Sequence, residues 1–310
     1  MFDVAIIIPV YNNERSISRC LDSIINQKTK RSFEVILVSD PSNDKTPQIV
    51  EKYIKKYSFI RNIDVNTRSI ALARTRGINE SNSKYLMFID ADDYFKDDAI
   101  EIMVNTLEKN DADIAAASFY YVRGKRCKKN FFSKSKIYDR KGMLKALMQD
   151  SFMHGFMWNK IYKSELLKDK SLVLPKGNII REDVLTNYQV FLNANKLAMT
   201  SKPIYYYDKT YESSTSKVDK TRVVWFITIF AIERYLLEKY EPSFMKMYHS
   251  LQSRRKLLVW GDRQIVKHGY EKEEYKALKK DAKHLLQIVN KKGKLEIDNL
   301  PWEKFIKDNF

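Results

Sequence analysis

Three aspartates, Asp90, Asp92 and Asp93, close the apolar run at 86–89. A short apolar run bounded by polar residues predicts a buried strand, which puts these carboxylates at its exposed end. Alternation along an extended segment sets Asp90 and Asp92 on one side and Asp93 opposite. Two hard oxygen donors side by side suit Mg²⁺ or Mn²⁺, above all where a diphosphate completes the shell. Aspartate is also a common helix cap, but three carboxylates at one strand end repel one another without a cation, which favours a metal. Asp40 ends a second apolar run, 33–38, and adds an acceptor that a base or ribose could use. Glu182 and Asp183 form a further acidic pair at the start of a helical pattern, where acids are frequent without any chemistry.

The elements that must carry these residues alternate. Apolar runs at 4–10, 33–38, 86–89 and 113–118 read as strands, as does a weaker pattern at 60–65, and 16–27, 47–57, 69–81 and 97–110 read as helices. Such alternation predicts an α/β fold, a doubly wound, mostly parallel sheet with right-handed crossovers and ligands at the carboxyl ends of its strands. The turn after the first strand carries neither G-x-G-x-x-G nor a Walker A pattern, so neither a dinucleotide fingerprint nor a P-loop is supported. Past 118 the pattern breaks. An aromatic, basic stretch at 119–138 suggests a hairpin, followed by helices at 141–149, 164–168 and 184–194 and a strand at 204–207. From 220 onward lysine-rich helical patterns at 223–237, 253–267, 273–290 and 302–308 make an appendage of about ninety residues. The chain therefore divides at 1–118, 119–218 and 219–310.

The 310 residues are 44% hydrophobic with a mean hydropathy of −0.48, an ordinary globular composition. Cys20 and Cys127 lie outside any metal-ligand spacing, which argues for a reducing compartment and against a disulfide framework. No apolar run approaches the length of a membrane span, and the opening Met1-Phe-Asp-Val has no basic leader, so a cytoplasmic location is expected. A net charge of +17 points to polyanionic partners: nucleic acid, anionic lipid or a phosphate-bearing substrate. Lysine-rich, low-GC genomes also produce basic proteins without functional cause.

Taken together the motifs resemble the family 2 glycosyltransferases of GT-A fold, particularly bacterial enzymes that build capsular, exopolysaccharide or teichoic acid glycans. Ile6-Ile-Ile-Pro-Val-Tyr-Asn-Asn-Glu14 is similar to that family's first strand and turn, and Val38-Ser-Asp-Pro-Ser-Asn-Asp-Lys-Thr46 to its nucleotide loop. Ala73-Arg74 with Gly77 matches its third motif, Asp90-Ala-Asp92 its metal motif, and Trp158-Asn-Lys-Ile-Tyr162 with Glu182-Asp183 its acceptor half. Five motifs in the family's order cover about two thirds of the chain, and the C-terminal patterns lie outside them.

The resemblance implies a donor half at 1–118, an acceptor-binding part of the same domain at 119–218 and a helical region beyond. Asp40 would accept from the uracil N3–H, with Pro9 and Tyr11 lining the base. Arg74 would meet a phosphate or the base edge with its fork of donors. Asp90 would face the ribose or sugar and share with Asp92 the ligation of Mn²⁺ or Mg²⁺. Asp183 would be the general base that takes the acceptor proton as the sugar inverts, with Glu182 orienting it or binding acceptor. Trp158 would either stack on a sugar ring or fill the core, and His154 beside Gly155 is a candidate for the acceptor pocket.

Departures are visible as well. Ser39 and Pro41 replace an aspartate and a glycine of the nucleotide loop, and Ser69 stands where glycine usually opens the third motif. The loop after Tyr207 usually carries an arginine or histidine that closes over the diphosphate; here Lys209 and Ser214 are the candidates. The implied activity is inverting, metal-dependent transfer from a UDP-sugar to a glycan or lipid-linked acceptor, with no nucleic-acid partner. The basic tail could rest on anionic lipid at the inner face of the membrane, dimerise or hold a phosphate-rich acceptor. A nucleic-acid-binding protein is the rival reading, from charge and the aromatic stretch 119–132; a glycan-binding protein on a decayed transferase fold is another.

Overall fold

The computed structural model describes residues 1–130, 134–148, 155–169, 172, 182–210 and 237–245. Four strands, β1 (Val4–Val10), β2 (Phe33–Ser39), β3 (Ile60–Asp64) and β4 (Tyr85–Phe88), run parallel in the order β3-β2-β1-β4. Strands buried on both faces read as unbroken apolar runs, and Val4 to Ile8 are wholly buried. Helices α1 (Ile17–Ile25), α2 (Thr46–Lys56) and α4 (Ala99–Lys109) send side chains into the core on one face of the sheet. Helix α3 (Ile70–Glu80) packs on the other face, with α5 (Arg140–Met148) and α7 (Glu182–Asn193). Two cores on either side of one sheet make the doubly wound α/β arrangement that the alternation predicts.

Helix α3 comes so close to β1 that a Cβ on Gly77 would lie 2.5 Å from Ile7 Cγ2. Its start is capped by Ser69, whose hydroxyl accepts from Leu72 N at 3.4 Å. A serine where a glycine is usual is thus used as a helix cap.

The second half of the sheet is mixed. Strand β9 (Lys160–Lys163) lies antiparallel between β4 and β6 (Ile114–Arg123), and β10 (Lys196–Asp208) runs parallel to β6. The two-residue strand β5 (Tyr94–Phe95) pairs with the end of β10, and β8 (Lys136–Asp139) with its start. The hairpin expected over 119–138 is present in part: β6 turns at Gly124, with φ +59°, into β7 (Arg126–Asn130). A short helix, α6 (Ser164–Leu167), follows β9. Of the region beyond 219, only 237–245 fall among the described residues, and of its helical patterns only Leu237, which is buried against the second core. The rest of those patterns lies outside them.

Candidate active site

The chain does not stay extended beyond β4. Asp93 N donates to Asp90 O at 3.0 Å, closing a turn over Ala91 and Asp92. The expected alternation therefore fails, because a turn and not a strand carries the carboxylates: Asp90, Asp92 and Asp93 each offer an oxygen within 4.8 Å of the others. Asp93 is the buried member, 1% exposed. It accepts from Tyr205 Oη at 2.6 Å and from Asp208 N at 2.7 Å. Burial, with Asp92 and Asp90 beside it, pushes its carboxyl well up. Asp92 is pushed up to about 6, first by burial and then by Asp90, with Lys209 pulling the other way.

These carboxylates fit a hard divalent cation: oxygen donors only, close together, and charged at a cost that a cation removes. Asp92 and the second oxygen of Asp90 would hold it, while Asp93 is engaged by Tyr205 and Asp208. Arg19 of α1 braces the turn, donating to Asp92 O at 2.9 Å and pairing with Asp208 Oδ2 at 2.7 Å. Its guanidinium lies over the Tyr94 ring, 4.5 Å from the centroid. Sequence reasoning missed Arg19, Tyr205 and Asp208; helix α1 and strand β10 bring them in.

On the donor side the turn after β1 and the loop after β2 are zipped together. Asn12 N donates to Ser42 Oγ (3.0 Å), Asn43 N to Asn12 Oδ1 (2.9 Å) and Asn13 N to Thr46 Oγ1 (2.7 Å). Pro9 is half-buried in β1 opposite Val38, and Tyr11 stands 53% exposed at the turn. Asp40 is buried and anchors the loop ahead of α3: Oδ1 accepts from Thr67 N (2.6 Å) and Arg68 N (2.8 Å), and Oδ2 from the Thr67 hydroxyl (3.1 Å). A base N–H would share Oδ2 with that hydroxyl.

Arg74 joins the two halves of the chain. Its Nη2 donates to Asp90 Oδ1 at 2.7 Å and its Nη1 to Glu182 Oε1 at 2.7 Å. Burial alone would lower the guanidinium, but Asp90, Glu182 and Asp183 more than offset it and hold it above its ordinary value. Arg74, expected at a phosphate or a base edge, pairs in this structure with two carboxylates. Burial and then Asp183 push Glu182 up to about 7, against the pull of Arg74. Asp183, half-buried in the first turn of α7, accepts from Val184 N at 2.8 Å. The acidic pair at the helix start thus sits beside the carboxylates of the β4 turn, with Arg74 between them.

Beneath the pair lies Lys160 on β9, fully buried. It donates to Phe156 O and to Asn159 Oδ1 (3.0 Å), and burial pushes it down to about 7 although Asp183 opposes that shift. Trp158 is the core ring of its two readings. It is 3% exposed and stacked on Tyr205 (4.4 Å), Phe156 (4.5 Å) and Tyr207 (5.4 Å), with Phe119 edge-on at 4.9 Å. A ring so enclosed offers no sugar a platform, which corrects its assignment to the acceptor. In the aromatic stretch of the nucleic-acid reading, Phe119 is buried and Tyr120 stacks on Tyr206 at 4.8 Å, whereas Tyr121 is exposed and 131–132 lie outside the described residues. Lys209 donates its backbone N–H to Val122 O at 2.8 Å and lays its ammonium over the Tyr207 ring. His154 and Ser214 lie outside the described residues. No helix among the described residues is long and apolar enough to cross a membrane.

The family model for glycosyl transferase family 2 matches residues 5–169. Poly(ribitol-phosphate) beta-N-acetylglucosaminyltransferase TarS of Staphylococcus aureus is 27% identical over 67% of this chain and 35% of its own. Poly(ribitol-phosphate) beta-glucosyltransferase of Bacillus spizizenii is 30% identical over 66% of this chain and 32% of its own. The chain thus spans about a third of the length of these curated relatives. The crystal structure of S. aureus TarS 1–349 in complex with UDP-GlcNAc superposes with a TM-score of 0.64. That likeness covers 86% of this chain and 79% of the other at 21% identity, and so speaks for the fold.

Proposed function

The chain belongs to glycosyl transferase family 2, and from that premise we propose that it moves a sugar from a UDP-sugar to a hydroxyl of a surface glycan, inverting the anomeric centre. Asp183 takes the proton from the attacking hydroxyl, on the face opposite the departing UDP. A carboxylate is a weak base in water, so placement and a partly desolvated surrounding do the activating. Asp92, with Asp90, holds a divalent Mn²⁺ or Mg²⁺. When bound, that cation supplies positive charge to the leaving diphosphate. Asp40, with the turn at Pro9 to Tyr11, receives the base, and Lys209 adds positive charge beside the carboxylate turn.

One observation carries this reading: Arg74 bonds at 2.7 Å both to Asp90 and to Glu182, the neighbour of Asp183. The two carboxylates are 92 positions apart in the chain, and a single guanidinium holds them together, which supports a shared site for the two acidic groups. Charge and the names of the relatives together support an acceptor class. A chain of net charge +17 suits a phosphate-bearing glycan such as the polyol phosphates named for its relatives, or an acceptor linked to lipid at an anionic membrane surface. The test is UDP release from a panel of UDP-sugars, with Mn²⁺ and with a chelator, in the presence of poly(ribitol phosphate). Metal-dependent release that rises with acceptor is the expected result. Failure to bind or release UDP with any donor would overturn the proposal.

A further inference from the structure

Asn187 sits one turn after Asp183 on α7, wholly buried, with its whole amide in use. Its Nδ2 donates to Gly155 O at 2.9 Å and to Asp183 O at 2.9 Å, and its Oδ1 accepts from Tyr162 Oη at 2.8 Å. Tyr162 is equally buried and lies on β9, paired with Leu86 of β4. That strand runs directly into the Asp90–Asp93 turn. Gly155 is pressed onto the same helix turn, since a Cβ there would lie 2.8 Å from Val184 Cγ2. Strand β9, hydrogen-bonded alongside the strand that leads to the carboxylate turn, and the helix that carries Asp183 therefore meet in a buried phenol–amide contact.

Space alone does not call for these groups. An apolar pair would fill the volume without the desolvation that a buried hydroxyl and amide carry. Hydrogen bonds weaken steeply off their axis, so this contact is selective for one placement of the helix where apolar packing would tolerate several. Arg74 controls the separation from the open side of the site; Tyr162 and Asn187 control it from below.

We propose that Tyr162 and Asn187 are positioning residues for the base: they fix the first turn of α7, and with it Asp183, relative to the carboxylates at the end of β4. The proposal rests on the reading of Asp183 as the base. A displacement of about 1 Å at a reacting group costs on the order of 10²-fold in rate, whereas Asp40, which receives the base in this reading, is held by Thr67 and Arg68 and not by α7.

The test is Tyr162→Phe, which keeps the ring and its packing and removes only the hydroxyl. Its kcat should fall roughly tenfold to a hundredfold, with the KM for the UDP-sugar and the affinity for UDP unchanged. An unchanged kcat in folded Tyr162→Phe, while Asp183→Asn is inactive, would overturn the positioning role and leave the base reading intact. A rise in the KM for the UDP-sugar that accounts for the whole loss would also overturn it. Wild-type turnover by Asp183→Asn would remove the base reading and this proposal together. Should the phenylalanine variant not fold, Gly155→Ala pushes on Val184 in the same turn and is read in the same way, loss of kcat supporting the role and an unchanged kcat overturning it.

Discussion

Replacing Arg74 by methionine tests the join between the two halves most severely. Its side chain is 6% exposed, and its partners Asp90 and Glu182 are 23% and 12% exposed. All three lie well below the exposure at which solvent screening makes an ion pair worth little. Hydrogen bonds to charged groups contribute about 1.5–3 kcal/mol each, so two bonds set a scale of about 3–6 kcal/mol. Breaking a buried pair by removing one partner costs about 3–5 kcal/mol, because the remaining charge is left uncompensated. The two routes agree, and the loss should be about 3–5 kcal/mol, with the larger share on the more buried Glu182 side. Arg74→Lys keeps the charge but not the fork, and a single ammonium cannot reach both carboxylates, so it should recover about half. Urea denaturation followed by circular dichroism reads both variants, and transfer should fall with stability in each. A loss under about 1 kcal/mol for Arg74→Met, on the scale of an exposed pair, would refute the bridge.

Other consequences are smaller but as definite. Trp158→Ala should cost about 3–5 kcal/mol of stability, while Trp158→Phe should leave the acceptor KM unchanged; a raised acceptor KM in the folded phenylalanine variant would return the ring to the binding site. Gly77→Ala gains about 1 kcal/mol in helix propensity but drives a methyl into the stiff, buried Ile7, at a cost of about 1–3 kcal/mol. A lower melting temperature is expected, and a higher one would mean that α3 stands further from β1. Lys160 has a folded value of about 7 against an ordinary 10.5, so between these the unfolded chain binds more protons and stability rises with pH. The slope from this group is up to about 1.4 kcal/mol per pH unit, absent below about pH 7. Lys160→Met should flatten the rise between pH 7 and 9 in denaturant melts (about those limits, from the same linkage), and an unaltered slope would show the ammonium to be solvated.

What could be read from the sequence depended on how fully an element is buried in apolar contacts. Strands β1, β2 and β4 and helices α1 to α4 show as apolar runs and apolar stripes because both faces of the sheet are covered there, while the edge strand β3 gives a weaker pattern. Strand β9 did not show, since its first residue is the buried Lys160, which any pattern reads as a surface position. Most of β10 was hidden too. Its register shifts between Thr200, Pro203 and Tyr205, where Lys202 and a proline interrupt the alternation. A proline has no N–H to give a ladder and is tolerated at such irregularities. Asp40, Asp90, Asp92 and the Glu182–Asp183 pair could be named from strand ends and motifs. Their partners could not: Thr67, Arg19, Tyr205, Asp208 and Asn187 act through contacts that spacing along the chain does not encode. The error over Asp93 has the same source, because a turn in place of a strand brings Asp93 to the same place as Asp90 and Asp92.

The convergence of a metal-holding turn and a separate base is tested most directly by one paired calorimetric and kinetic measurement on Asp92→Asn and Asp183→Asn. Asp183→Asn should bind UDP with Mn²⁺ as the unaltered chain does and release no UDP from a donor in the presence of acceptor. Asp92→Asn should lose the Mn²⁺-dependent part of UDP binding together with turnover. Turnover by Asp183→Asn near the unaltered rate, or Mn²⁺-dependent UDP binding undiminished in Asp92→Asn, would contradict the division of labour between the two carboxylates.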